Sequence, residues 1–232
     1  MIKLPLILCL PFILCCSRIN DSGNSEQKAP IRYLALGDSY TIGEKVEPDE
    51  RWPVQLADTL TIKGIPVDTV EIIARTGWTT AELLQGIDAN RPTGTFDLVS
   101  LLIGVNNQFR GLPIETFQAE FQLLLDRAVA FAGNDSSRVF VLSIPDYGVT
   151  PFAQGPSQER ISSEIDQYNS LKQEMTQARG ITWFNITDIS RLAADDTSLL
   201  ASDGLHPSGK MYSMWVSRIA DSVAALIGKE TP

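Results

Sequence analysis

From Ile31 onward, short apolar runs alternate with longer stretches whose apolar residues recur every three or four positions. The short runs, Ile31 to Leu36, Val67 to Ala74, Asp97 to Gly104, Arg138 to Ile144 and Ile181 to Ile186, read as strands. Leu98-Val99-Ser100-Leu101-Leu102-Ile103 and Val139-Phe140-Val141-Leu142 are nearly continuous, as expected of strands covered on both faces. Helical spacing links Phe117, Phe121, Leu124, Leu125 and Ala128, then Ile161, Ile165, Tyr168, Leu171 and Met175, then Tyr212, Trp215, Val216, Ile219 and Val223. These aromatics and methionines read as core stripes. Pro53 suits a first helical turn, and Gly64, Gly133 and Gly180 each follow a helical pattern. Strands alternating with helices predict an α/β fold. Its expected form is a three-layer α/β/α sandwich around a central, mainly parallel five-stranded sheet, one domain over residues 31–232. No internal repeat and no Gly-rich phosphate loop interrupts it.

In such a sheet, ligands bind beyond the carboxyl ends of the strands, so the residues after each apolar run carry the candidate chemistry. They are Gly37-Asp38-Ser39-Tyr40, Arg75-Thr76-Gly77-Trp78, Gly104-Val105-Asn106-Asn107 and Pro145-Asp146-Tyr147-Gly148, followed by Asp203-Gly204-Leu205-His206-Pro207 before the last helix. Ser39 follows an abrupt glycine turn, a position suited to a nucleophile, but a serine hydroxyl needs a base to be activated. His206 is the one histidine of the chain, and Asp203 lies three residues before it within a turn confined by Gly204 and Pro207. That spacing lets a carboxylate orient an imidazole, which makes Ser39, Asp203 and His206 a candidate triad in the chain order Ser, Asp, His. The amides of Ser39 and Gly77 and the side chain of Asn106 are candidate donors to an oxyanion. Trp78, Phe109, Tyr147 and Phe152 fall in segments expected to border the cleft, either as substrate contacts or as loop packing.

Other classes compete with a carboxylic-ester hydrolase. A surface ligand-binding lipoprotein would keep the fold without the chemistry. A metal-assisted phosphoesterase would draw on Asp38, Asp203 and His206, which are few ligands for such a site. A flavodoxin-like redox module shares the fold class, yet the first turn lacks the run of hydroxyl residues that would cradle a phosphate.

Composition narrows the partners. The formal net charge is −9 over 232 residues and no basic cluster offsets it, which argues against nucleic acid. The first sixteen residues differ from the rest: one charge at Lys3, then an apolar run from Leu4 to Cys16. That run is too short to span a bilayer and suits the apolar region of a secretory signal. Residues 1–16 are therefore expected to be a signal, residues 17–30 a polar tether, and the product exported. Cys9, Cys15 and Cys16 all lie in this segment, so the remaining chain has no disulfide and no cysteine metal site. Ile13-Leu14-Cys15-Cys16-Ser17 resembles a bacterial lipoprotein signal, with Cys16 as the acylated residue of a periplasmic or membrane-anchored protein; ordinary signal cleavage is the alternative.

The blocks around Ser39, Gly77, Asn106 and His206, in this order from about residue 31 to 228, resemble those of the GDSL, or SGNH, hydrolases. The resemblance implies a flavodoxin-like fold, a Ser39 nucleophile, His206 as general base and then acid, and Asp203 as its orienting partner. It also implies an oxyanion hole of Ser39, Gly77 and Asn106, no metal or organic cofactor, and a small-molecule ester or thioester substrate such as an acylated sugar or a lysophospholipid. Two positions depart from the pattern: Tyr40 replaces the usual leucine and Asn107 the usual aspartate.

Overall fold

Parallel strands cannot be joined by tight hairpins; each needs a crossover, and the helical stretches between the apolar runs supply one. In the computed structural model, which describes residues 1, 29–153, 155 and 157–228, five strands form a single sheet. They are β1 (Ile31–Gly37), β2 (Val67–Ala74), β3 (Leu98–Leu102), β4 (Val139–Leu142) and β5 (Thr182–Phe184), in the order β2-β1-β3-β4-β5. Every neighbouring pair is parallel. The expected leader, with its three cysteines, and the tether up to residue 28 lie outside the described residues.

The helices are α1 (Ser39–Ile42), α2 (Trp52–Ile62), α3 (Thr80–Asn90), α4 (Val105–Phe109), α5 (Ile114–Phe131), α6 (Ser157–Gln177), α7 (Thr187–Arg191) and α8 (Gly209–Ile227). α2 packs on α8, while α3, α5 and α6 pack in a row, so the sheet lies between two helical layers. The predicted stripes of α5, α6 and α8 face the core, with Phe117, Phe121, Ile165, Tyr212 and Trp215 almost fully buried. Pro53 sits in the first turn of α2, where its missing N–H costs nothing.

The observed strands are shorter than the apolar runs. Ile103, Ile144, Ile181 and Ile186 are buried yet off the ladder, because an apolar run reports burial whereas a strand ends where backbone pairing ends. Helix α3 is absent from the hydrophobic reading. Its local signal is a capping box: Thr79 accepts from the Glu82 amide while the Glu82 carboxylate accepts from the Thr79 amide, satisfying two donors at the helix start.

Gly37 ends β1 beside Ala74 of β2 and Leu102 of β3, where the chain turns directly into α1. A Cβ at this position would lie 2.2 Å from Thr41 Oγ1 and 2.5 Å from the Leu102 carbonyl oxygen. The second neighbour is backbone and cannot swing away. Gly37→Ala is therefore expected to destabilise the protein by about 1–3 kcal/mol, the usual cost of overpacking. Urea unfolding measures this, and an unchanged midpoint and slope would contradict it.

Candidate functional site

The turn from β1 into α1 sets the first group. Asp38 caps α1 by accepting a 3.0 Å hydrogen bond from the Tyr40 amide, which aims the start of the helix and places Ser39 at its first position. The Asp38 side chain is fully buried, and its second oxygen has no hydrogen-bond partner. Tyr40 is also buried, and its ring meets the His206 imidazole edgewise at 5.8 Å between centroids. The tyrosine that stands where the family pattern has leucine thus packs against the histidine.

His206 and Asp203 are held by a compact loop immediately before α8. The Ala201 amide donates to the His206 carbonyl at 2.7 Å, and Leu200 bridges Pro207 in antiparallel fashion, closing the loop at its base. Within it, one Asp203 oxygen accepts from the Leu205 and His206 amides at 3.0 Å each, and the other lies 2.7 Å from His206 Nδ1. Partial burial pushes the Asp203 carboxyl up, but the hydrogen bonds from the imidazole and the two amides outweigh it and hold the group below the usual carboxylate range. A carboxylate that stays ionised at Nδ1 keeps a proton on that nitrogen and leaves Nε2 able to accept one.

The loops after β2 and β3 are tied together by side chains from α4. Asn106 donates one N–H of its amide to the Trp78 carbonyl at 2.9 Å, which orients the group while leaving its second N–H unspent. Asn107 is fully buried; its oxygen accepts from the Thr80 amide at 3.0 Å and its nitrogen donates to Thr80 Oγ1 at 2.7 Å. The Thr80 hydroxyl in turn donates a hydrogen bond to the Glu120 carboxylate. An amide meets both needs, an acceptor and a donor, with no buried charge. That explains how asparagine serves where the family pattern has aspartate. Arg110, just past α4, donates to the Gly77 carbonyl and pairs with Glu82. Gly77 has φ 86°, a conformation that side chains rarely adopt, whereas a Cβ there would meet nothing closer than 3.8 Å. Glycine is required for the backbone, not for space.

Ser39, Gly77, Asn106 and His206 open onto one cavity of about 220 Å³, whose apolar walls include Val105, Phe109, Tyr147, Phe152 and Leu205. Asp203 stands behind His206. The five candidate residues of the sequence reading therefore gather at one place. Of the four cleft aromatics, Phe109, Tyr147 and Phe152 line the cavity and Trp78 does not. The Trp78 ring lies across Gly86 of α3, where a Cβ would come within 2.2 Å of it, so that aromatic packs its loop onto the helix. Among the described residues, no group of three or more His, Cys, Asp or Glu side chains is arranged to hold a metal ion.

One group below the site escaped the sequence reading. Lys172 of α6 is fully buried and donates to the carbonyl oxygens of Ile103 at 2.8 Å and Leu142 at 3.1 Å, at the ends of β3 and β4. Desolvation brings its ammonium down to about 7, partly offset by attraction to Asp38. Desolvation likewise brings the Asp38 carboxyl up to about 7, opposed by the Tyr40 amide and by Lys172. The one sequence cue is a lysine beside an apolar stripe, a pattern more common at the edge of a solvated face.

The model of the GDSL-like lipase/acylhydrolase family matches residues 35–214. No curated protein matches the chain. Similar solved structures include the psychrotrophic esterase EstA from Pseudoalteromonas sp., inhibited by monoethylphosphonate, with TM-score 0.61 and 20% identity over 85% of this chain and 99% of that one. The lipase/acylhydrolase from Enterococcus faecalis aligns with TM-score 0.63 and 19% identity, over 87% of this chain and all of that one (100%). Axe2, an acetylxylan esterase from Geobacillus stearothermophilus, aligns with TM-score 0.59 and 17% identity, over 88% and 97%. At these identities the likeness is one of fold.

The buried pair has a pH consequence. From about pH 4 to 7 the folded Asp38 holds a proton that the unfolded chain has released, so its contribution to stability falls as pH rises. From about 7 to 10 the unfolded chain holds a proton that folded Lys172 has released, so stability rises again. Subtracting the unfolding free energies of the double variant Asp38→Asn, Lys172→Met from those of the wild type across pH should leave a trough near pH 7. A difference that runs in one direction throughout would refute it.

Proposed function

The chain belongs to the GDSL-like lipase/acylhydrolase family, and from that premise we propose that it is a serine ester hydrolase working through an acyl-Ser39 intermediate. The observation that carries this reading is the single cavity onto which Ser39, Gly77, Asn106 and His206 open, with Asp203 2.7 Å behind the imidazole. His206 takes the Ser39 proton as Oγ attacks the acyl carbonyl, and the negative charge moves onto the carbonyl oxygen. The Ser39 and Gly77 amides and the free N–H of Asn106 receive that charge. As the tetrahedral intermediate collapses, the ester C–O bond breaks and His206 returns the proton to the departing alcohol. Water, deprotonated by the same imidazole, then attacks the acyl-serine; the acid leaves and Ser39 regains its proton.

Asp203 orients the imidazole and balances its charge while it carries the extra proton. Tyr40 supports the opposite requirement, an imidazole that cannot swing away, through its edgewise contact. Asp38 shapes the turn. Two features of the N-terminal sequence support export and a lipid anchor, the apolar run after Lys3 and the Cys16 motif. Labelling by a fatty-acid probe in a bacterial host should follow Cys16 and disappear in Cys16→Ser; equal labelling of both would remove the anchor from the proposal.

A serine-directed phosphonate should label Ser39 and no other serine, with a burst of p-nitrophenol from p-nitrophenyl acetate. Ser39→Ala should lower kcat by roughly 10⁶, the scale of nucleophile removal in serine hydrolases, with unchanged unfolding. Asn106→Ala should lower it by about 10²–10³, as for other oxyanion donors. Because a base must be unprotonated to act, kcat/KM should fall on acidification. Full activity of His206→Ala would remove His206 from this role, and full activity of Ser39→Ala would end the proposal.

A further inference from the structure

A second cavity, of about 510 Å³, adjoins the first and shares Phe109, Tyr147 and Phe152 with it. The three rings stand as a cluster, with centroids 6.0 Å (Phe109–Tyr147), 6.2 Å (Phe109–Phe152) and 6.5 Å (Tyr147–Phe152) apart. Phe109 and Phe152 are 57% and 52% exposed, so two of these rings present apolar surface to solvent at the junction of the cavities. Exposed aromatics in a concave site ordinarily meet a ligand.

Beyond the rings the wall mixes apolar side chains, Leu112, Ile114 and Ile161, with a connected polar stretch. Tyr147 donates its hydroxyl to Gln108 Oε1 at 2.8 Å, and Gln108 donates its amide to Glu164 Oε2 at 2.6 Å. Arg160 Nη1 donates to Glu164 Oε1 at 2.9 Å. Gln108, Tyr147, Arg160 and Glu164 thus form one connected chain along the larger cavity. Building on the esterase reading of the Ser39 cavity, we propose that this groove binds the alcohol portion of the substrate and that this portion is a neutral oligosaccharide carrying a short O-acyl group.

Three observations favour that class. The Ser39 cavity is small and walled by Val105, Leu205 and the rings, so it suits a short acyl group. The groove offers aromatic faces beside amide, carboxylate and guanidinium groups, the combination that meets a sugar's C–H face and its hydroxyls together. An acyl chain would strip water from that hydrogen-bonded wall without returning a hydrogen bond to it. A phosphate headgroup would find the one groove cation already neutralised, because Arg160 pairs with Glu164, and would face a chain of net charge −9.

The test compares kcat/KM on O-acetylated xylo-oligosaccharides, lysophosphatidylcholine and p-nitrophenyl acetate, using wild type, Glu164→Gln and Arg160→Ala. Arg160 is exposed, so the second variant keeps the test valid if the first fails to fold. The wild type should prefer the acetylated oligosaccharide to lysophosphatidylcholine. Each variant should lower kcat/KM for the oligosaccharide at least about tenfold more than for p-nitrophenyl acetate, the scale of one lost charge-assisted hydrogen bond. Loss in equal proportion on both substrates, or a preference for lysophosphatidylcholine, overturns the groove assignment and leaves the esterase reading standing. No turnover of p-nitrophenyl acetate and no phosphonate labelling of Ser39 overturns the esterase reading, and this one with it.

Discussion

The carboxyl edge of the sheet is buried, and its backbone groups must find hydrogen-bond partners without water. That constraint organises the protein. Lys172 reaches from α6 to the carbonyl oxygens at the ends of β3 and β4. Asn169, one turn earlier on the same helix, accepts from the Ile144 amide at 2.7 Å and donates to the Ile144 carbonyl at 3.0 Å. Asn106 and Asn107 do the same for Trp78 and Thr80 in the loop after β2. The loops after β2, β3 and β4 are thus tied by side chains of neighbouring helices, whereas the Asp203–His206 loop is closed by its own backbone.

The same economy holds at the proposed oxyanion donors. Asn106 carries two N–H groups; one holds the Trp78 carbonyl and the other remains for a ligand. Gly77 is set by its φ and by Arg110 on its carbonyl, and it lines the cavity. Donors positioned by structural hydrogen bonds need not reorganise when charge develops, which is where electrostatic stabilisation gains over water. A buried lysine and a buried aspartate beneath such a site carry a stability cost near neutral pH, accepted so that the strand ends and the nucleophile turn are held from inside.

The two cavities divide the chemistry. One gathers Ser39, Gly77, Asn106 and His206 within apolar walls, the other carries a polar chain from Tyr147 to Arg160, and the cluster of three rings belongs to both. On the proposed reading, changes in Gln108, Arg160 or Glu164 would alter what is accepted without touching Ser39, Asp203 or His206.

Periodicity and strand-end position were sufficient for the α/β order, the five strands and the placing of Ser39, Gly77 and Asn106 at one edge. Both are local properties: an apolar run reports burial, and in a parallel sheet every strand points its carboxyl end to the same edge. The Asp203–His206 contact was legible for a similar reason, since it closes within three residues. What needed the tertiary structure was every group whose partner is distant in sequence. Lys172 and Asn169 sit where helical spacing alone cannot say that strand-end carbonyls wait opposite them. Trp78 turns toward α3 and Tyr40 toward His206, although both occupy cleft-bordering blocks. Asn107 proves a satisfied structural amide only once Thr80 is seen beside it. Spacing along a chain places a residue on a face; only the packed neighbours decide which donor, acceptor or ring it meets there.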